Sequence, residues 1–109
     1  MNKPLYIDSG ITLNDEPIKH GTVLRSYHYP YHSDGNDNYY AYVYWDNALA
    51  AFMCTTVKHP KANIRGISSG NCNYLCEELA QYDYGFEIVH DTEIVNTITK
   101  IANRWGYGA

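Results

Sequence analysis

In the segment 23–45, every second position of 25–31 and of 40–44 is a tyrosine or Arg25, a spacing of two that is typical of β-strands. An Asp34-Gly35 pair lies in the middle of this segment. Asp-Gly between alternating residues favours a hairpin with a two-residue type I′ turn. We therefore predict a hairpin centred on Asp34-Gly35, whose register follows from the turn. The expected opposite pairs are Arg25 and Tyr44, Tyr27 and Tyr42, and Tyr29 and Tyr40.

The two faces of the predicted hairpin differ in chemistry. One face has small or aliphatic residues such as Leu24, Ala41 and Val43 and is expected to face the core. Tyrosines dominate the other face, and a row of tyrosines around one arginine suits a recognition surface. The predicted partner-binding residues on it are Arg25, Tyr27, Tyr29, Tyr31, Tyr40, Tyr42 and Tyr44. We expect this tyrosine face to be open; the alternatives are that a helix covers it or that a second copy buries it in a homodimer.

The segments on either side of the hairpin also predict elements. Residues 5–8 and 11–18 have strand composition, with a turn at 14–17. Asp46 is a candidate cap for a helix over 47–56. The alternative is a hairpin turn after Trp45 followed by a strand, because Thr55, Thr56 and Val57 are β-branched.

The C-terminal third has the spacing of amphipathic helices. A first helix is predicted to start after Asn71, with an apolar stripe over 72–80. A strand at 86–90 follows, and then a helix capped by Asp91 or Thr92. The expected inner stripe of that last helix is Ile94, Ile98, Ile101, Ala102 and Trp105, with Gly106 at its end.

This order of elements predicts a single α+β domain over residues 1–109. We expect a mostly antiparallel sheet with two or three helices packed on one face. At 109 residues the chain is long enough for one modest core and too short for two.

Composition and charge narrow the classes of function. The chain has 12 Tyr but only 2 Phe and a net charge of −4. An acidic chain is poorly suited to duplex DNA, whose binding depends on clustered cations. No apolar run is long enough to span a bilayer and the N-terminus has no apolar signal region, so we expect no membrane association. Three cysteines do not close into a full set of disulfides, which favours the cytoplasm.

Acidic residues accumulate between positions 77 and 93, where no Lys or Arg occurs. Glu77, Glu78 and Asp83 are the predicted contact residues of this surface. An acidic surface attracts a basic protein partner and steers its association. The alternative is a solvated face that only keeps the protein soluble.

Cys72 is the strongest candidate for chemistry, because it is predicted at the start of a helix, where the helix dipole lowers the pKa of a thiol. The segment 71–81, NCNYLCEELAQ, is similar to the cysteine helix of the permuted papain-like hydrolases, the deSUMOylating isopeptidase group. The resemblance covers about a tenth of the chain. It implies that Cys72 is a nucleophile served by an upstream histidine, which would be His20, His28 or His32.

A second interpretation of Cys72 is structural, and we favour it. Cys72 and Cys76 both fall on the predicted apolar stripe and would be small buried thiols. The Cys72-x3-Cys76 pair lacks a second ligand pair, so we predict no metal site and no cofactor. A third interpretation is a small nucleotide held between the tyrosines and Arg25, which would require a pocket beside Arg25.

Taken together, these patterns favour a small, non-enzymatic binding protein of the cytoplasm. In size and composition it resembles the compact inhibitors that viruses and mobile elements make, which antagonise host defence by covering a functional surface of a larger host protein. We expect the tyrosine face and the acidic C-terminal surface to make the contacts. The cysteine hydrolase and the nucleotide-binding protein are the alternatives.

Overall fold

A computed structural model describes residues 8–26, 37–60, 72–81 and 85–107. These residues form seven strands and two helices. The strands are β1 (Asp8–Leu13), β2 (Glu16–Lys19), β3 (Val23–Ser26), β4 (Asp37–Asp46), β5 (Ala51–Pro60), β6 (Cys72–Tyr74) and β7 (Phe86–Ile88). The helices are α1 (Leu75–Gln81) and α2 (Thr92–Arg104).

Five of the strands form one antiparallel sheet in the order β6-β5-β4-β3-β7, and β1 and β2 form a separate two-stranded sheet. The predicted class, α+β with a mostly antiparallel sheet and helices against it, is confirmed. The turn between β1 and β2 is where the sequence predicts it. Asn14 and Asp15 there have φ angles of 52° and 66°. Positive φ at two successive residues is the mark of a type I′ turn, which Asn and Asp tolerate well.

The register of β3 against β4 differs from the prediction. Arg25 lies opposite Tyr40, not opposite Tyr44, and Val23 lies opposite Tyr42. The predicted register is therefore wrong by four residues along β4, and the predicted Asp34-Gly35 turn lies outside the described residues. Because side chains alternate with a period of two, a shift by an even number leaves every residue on its predicted face.

The helix predicted over 47–56 is wrong, and the alternative of a turn and a strand is correct. Residues 47–50 form a turn that is closed by the Leu49 amide, which donates to Asp46 Oδ1 at 3.1 Å. β5 then pairs with β4 over its whole length. This hairpin pairing outweighs the tendency to form a helix, and the β-branched residues of β5 favour it.

The tyrosine face of the sheet, predicted to be open, is covered by α2. Its side chains share one core cluster with three residues of the helix. The members of that cluster are Val23, Tyr40, Tyr42, Tyr44, Met53, Val57, Ile98, Ile101 and Ala102. The prediction of an open tyrosine face is therefore wrong for the three tyrosines of β4, and the alternative of a covering helix is correct for them.

The opposite face of the sheet carries the second core cluster, as the small and aliphatic residues of β3 and β4 predict. Leu24, Ala41, Val43 and Cys54 pack there against Ile18 of β2 and Leu75 of α1. The structure thus places the two helices on opposite faces of the sheet, not together on one. Both faces of β4 are buried, because one face carries tyrosines that pack under α2 and the other carries the apolar residues Ala41 and Val43.

The two ends of α2 are well defined by hydrogen bonds. At the N-terminus, Asp91 Oδ1 accepts from the amides of Glu93 and Ile94 at 2.9 and 3.3 Å, as its predicted capping role requires. At the C-terminus, the Gly106 amide donates to the Asn103 carbonyl and the Tyr107 amide donates to the Ala102 carbonyl. This pair of bonds is the Schellman motif, and the φ of 93° at Gly106 favours glycine there.

Candidate functional site

The three tyrosines of β4 form part of the interior and not of a surface. Tyr40, Tyr42 and Tyr44 are 4%, 2% and 5% exposed. The rings of Tyr42 and Tyr44 are stacked with centroids 6.3 Å apart. Burial is the main cause that raises the pKa of all three phenols. A partner cannot contact these rings while α2 is in place.

Of the other residues of the predicted recognition surface, the structure describes Arg25 alone. Tyr27, Tyr29 and Tyr31 lie outside the described residues. Arg25 is on the same face as the β4 tyrosines, at the edge of α2, and its side chain is 43% exposed.

The predicted acidic contact residues do not form one surface. Glu77 is exposed, whereas Glu78 is 3% exposed, and Asp83 lies outside the described residues. The Asn73 side-chain amide donates to Glu78 Oε1 at 2.8 Å. Burial raises the pKa of the Glu78 carboxyl, although this hydrogen bond lowers it. Glu78 therefore belongs to the structural interior, and the prediction that it contacts a partner is wrong for this fold.

Cys72 is neither at a helix N-terminus nor buried, so both predictions for its environment are wrong. It lies in β6 opposite Thr55 of β5, and α1 begins three residues later, at Leu75. Cys72 and Cys76 are exposed, and only Cys54 is a buried thiol. The pairing of Cys72–Tyr74 with β5 holds this segment extended, which keeps it out of the helix that the apolar stripe predicts.

His20, the one candidate histidine that the structure describes, is not placed to activate Cys72. His20 Nδ1 accepts from the Trp45 amide at 3.0 Å, on the side of β4 away from β5. Three strand spacings of about 4.8 Å put the backbones of His20 and Cys72 roughly 14 Å apart. His28 and His32 lie outside the described residues. Within the described part of the chain, no three His, Cys, Asp or Glu side chains are grouped to hold a metal ion.

Three large apolar side chains are exposed at the end of the sheet where α2 ends. They are Leu49, Tyr74 and Trp105, with 50%, 42% and 53% of their surface exposed. Tyr74 lies opposite Met53, which lies opposite Tyr44, and Leu49 is in the turn that follows β4. We call these three residues the α2-end surface.

Trp105 was predicted on the inner stripe of α2, and this prediction is wrong. The Schellman turn brings Tyr107 back over the sheet, where its ring centroid is 5.4 Å from that of Tyr44. Tyr107 thus fills the place that the helical spacing assigns to Trp105. The sequence contains one signal for this outcome, since Gly106 directly follows Trp105 and ends the helix there.

A cleft of about 320 Å³ lies at the opposite end of α2. Its walls are Arg25, Tyr40, Glu87 and Ile88 from the sheet, residues 89–91 from the connection to α2, and Ile94 from the first turn of the helix. We call it the Arg25 cleft. The sequence predicts Arg25 as a binding residue but does not predict Glu87, Asp91 or Ile94 as binding residues. The pairing of β7 with β3 brings these three residues next to Arg25.

Charges of both signs meet in the Arg25 cleft. The Arg25 guanidinium is 3.8 Å from the Glu87 carboxylate. Beside them, burial raises the pKa of Tyr40, the charge of Arg25 lowers it, and the charges of Asp91 and Glu87 raise it. His90 Nε2 is 2.8 Å from both carboxylate oxygens of Glu16. The cleft is the pocket beside Arg25 that the nucleotide-binding alternative requires, but the carboxylates of Glu87 and Asp91 in its walls disfavour a phosphate group.

Comparison with models of protein families, with curated proteins and with solved structures finds no match to the chain. Among the described residues, neither helix has the length and the apolar composition of a membrane span. Geometry and charge therefore define the two candidate sites, which are the α2-end surface and the Arg25 cleft.

Proposed function

We propose that this protein is a non-catalytic module of the cytoplasm that binds a larger protein and covers one of its functional surfaces. The observation that carries the proposal is the exposure of Leu49, Tyr74 and Trp105 at one end of the fold. Trp and Tyr side chains supply a large share of the binding energy in protein interfaces. Burying these three residues against a partner would remove their apolar surface from water, which is favourable.

Charge favours a partner with a basic surface. The chain has a net charge of −4, and the exposed Glu77 lies three residues after Tyr74. Carboxylates at the rim of an apolar contact raise the association rate with a positively charged partner. The sequence predicts the same role for the acidic surface. Glu77 is part of the proposed contact, whereas Glu78 is buried and is not.

The contact surface differs from the one that the sequence predicts. Tyr40, Tyr42 and Tyr44 hold α2 against the sheet, so a homodimer through them would require the helix to leave. An inhibitor of the kind that viruses and mobile elements make remains the class of protein that we propose. The interior tyrosines hold α2 against the sheet, and the α2-end surface contacts the partner.

Affinity capture from the native cytoplasm, with quantitative mass spectrometry, tests the proposal. Three baits are compared: the wild-type protein, a Tyr74→Ala/Trp105→Ala variant, and a Lys100→Ala variant. Lys100 is an exposed residue of α2 five positions before Trp105 and is not part of the α2-end surface, so its variant is the control for an exposed substitution on the same helix. We expect at least one basic protein to be captured by the wild type and the control and to be lost with the double variant.

The same experiment has a clear contrary result. If every captured protein binds equally to all three baits, the α2-end surface makes no specific contact and the proposal is wrong. Circular dichroism of each bait checks that the fold is intact. We expect this result because the side chains of Tyr74 and Trp105 are 42% and 53% exposed.

A further inference from the structure

We infer that the Arg25 cleft binds a small zwitterionic molecule of the amino-acid type, an activity separate from the proposed protein contact. The ligand carboxylate would lie against Arg25, its ammonium group against Glu87 and Asp91, and its side chain against Val89 and Ile94. The cleft lies at the N-terminal end of α2, and the α2-end surface lies at the other end.

The Arg25 cleft presents charges of both signs to a ligand. A simple anion in the cleft would meet the Glu87 and Asp91 carboxylates, and a simple cation would meet the Arg25 guanidinium. A molecule that carries both charges on adjacent atoms meets a complementary group on each side. Like-charge contacts cost free energy in a binding site, and such contacts are the basis of discrimination against the wrong ligand.

The sheet and the cap of α2 hold the charged groups of the cleft in place. Arg25 and Glu87 are opposite each other on β3 and β7, with side-chain atoms 3.8 Å apart. A guanidinium has five N–H donors in a fixed plane, so Arg25 can keep its present contacts and also bind a carboxylate. Asp91 accepts both of its capping bonds through Oδ1, which fixes its carboxylate at the rim of the cleft.

The N-terminus of α2 does not offer a site for a phosphate ligand. Anions bind helix N-termini through the first unpaired amides. In α2 the amides of Glu93 and Ile94 already donate to the Asp91 side chain, and the Val95 amide donates to the Asp91 carbonyl. The residue that caps the helix therefore takes the place that a phosphate would occupy, and its carboxylate repels one.

Size and apolar lining select the side chain of the ligand. At about 320 Å³ the cleft is at the small end of the range for ligand sites. Val89 and Ile94, which also pack against the core under α2, give it an apolar wall. An aliphatic amino acid fits this combination better than a larger polar one.

The test is a set of amide NMR titrations of the ¹⁵N-labelled protein with each standard L-amino acid singly. We expect at least one aliphatic amino acid to shift the amides of Val89 and Ile94 saturably. The C-terminal amide of that amino acid lacks the carboxylate, and its N-acetyl form lacks the ammonium group. Each derivative should bind at least about tenfold more weakly, the effect of losing about 1.4 kcal/mol of interaction.

Variants locate the binding on the two charges. Arg25→Gln and Glu87→Gln should each weaken binding of the best amino acid about tenfold or more, and Arg25→Lys should recover part of the loss. Arg104→Gln, at the far end of α2, should bind as the wild type does. The dispersion of the amide spectrum shows whether each variant is folded.

Three results would overturn the inference. One is that no amino acid gives saturable shifts at the cleft. Another is that the amide or N-acetyl derivative binds as well as the parent amino acid, since the cleft would then not recognise both charges. The third is that saturable shifts persist unchanged in both folded Gln variants, which would place the binding elsewhere.

Discussion

At the scale of single residues, tyrosine serves in this fold as an apolar residue with a polar tip. The rings of Tyr40, Tyr42 and Tyr44 lie beneath α2, and burial raises the pKa of each phenol from its ordinary value of 10.0. All three hydroxyls therefore stay protonated at neutral pH. Burial is the main cause for Tyr44, and the neighbouring Cys72 thiol raises the pKa of Tyr44 further. Substitutions at these tyrosines act first on the stability of the fold.

Glu78 gives a prediction about pH. Burial raises the pKa of its carboxyl in the folded state above the ordinary value of 4.5. The protonated form is thus favoured by folding, so its contribution to stability is present below pH 4.5 and is lost as the pH rises through the folded pKa. We expect Glu78→Gln to raise the free energy of unfolding at pH 7 by about 1–3 kcal/mol, the penalty of a poorly compensated buried polar group.

Urea unfolding of the wild type and Glu78→Gln at pH 4 and pH 7 measures this effect. The variant should be more stable at pH 7, and the difference should shrink at pH 4. Glu77→Gln, at the exposed neighbouring position, is the control and should change little. A Glu78→Gln variant that is less stable than the wild type at pH 7 would show that the charged carboxylate supports the fold.

The three cysteines should differ in reactivity. Cys54 is buried, and burial followed by the charges of Glu78 and Cys72 raises its pKa to about 12. Cys72 and Cys76 are exposed. Because the thiolate is the reactive form and must be accessible, iodoacetamide should label the folded protein at two positions, Cys72 and Cys76. Intact mass and peptide mapping give the sites, and unfolding in urea should expose the third. Labelling of Cys54 as fast as Cys72 in the folded protein would contradict the structure.

At the scale of elements, the sequence predicted correctly those parts of the fold that neighbouring residues determine, such as the cap, the end and the apolar face of a helix. The cap at Asp91, the glycine at 106 and the spacing of Ile98, Ile101 and Ala102 locate α2 correctly. The helix over 47–56 and the early start of α1 were wrong for the same reason. In both places strand pairing replaces helix: residues 51–60 form a hairpin with the preceding strand β4, and residues 72–74 pair with β5, about twenty residues earlier in the chain.

The N-terminus of α2 can be tested separately from its packing. Asp91→Ala removes the acceptor for two backbone amides and should lower the free energy of unfolding by about 1 kcal/mol, within a range of about 0.5–2. Asp91→Asn keeps a side-chain oxygen in the same position and should retain most of the stability. Thermal or urea unfolding measures both variants. Equal losses in the two would mean that the charge and not the hydrogen bonds stabilises the helix.

At the scale of the whole molecule, both faces of the main sheet are covered. α2 lies on the tyrosine face, and β2 and α1 lie on the other. The candidate sites are consequently at the two ends of α2. The sequence predicted the faces of β3 and β4 correctly, but tyrosine is suited both to a core and to a surface, so its pattern did not determine which face would be open. Arg25 and Tyr40 are the predicted recognition residues that line a candidate site.

The central claim is that the protein binds its partner through the α2-end surface and not through the tyrosine row. Its most direct test is the affinity of Trp105→Ala for the captured partner, measured by calorimetry beside the free energy of unfolding of the same variant. Trp105 is 53% exposed, so the account predicts a loss of about 1–3 kcal/mol in binding and a much smaller loss in stability. Unchanged affinity, or a loss of stability as large as the loss of affinity, would contradict the account.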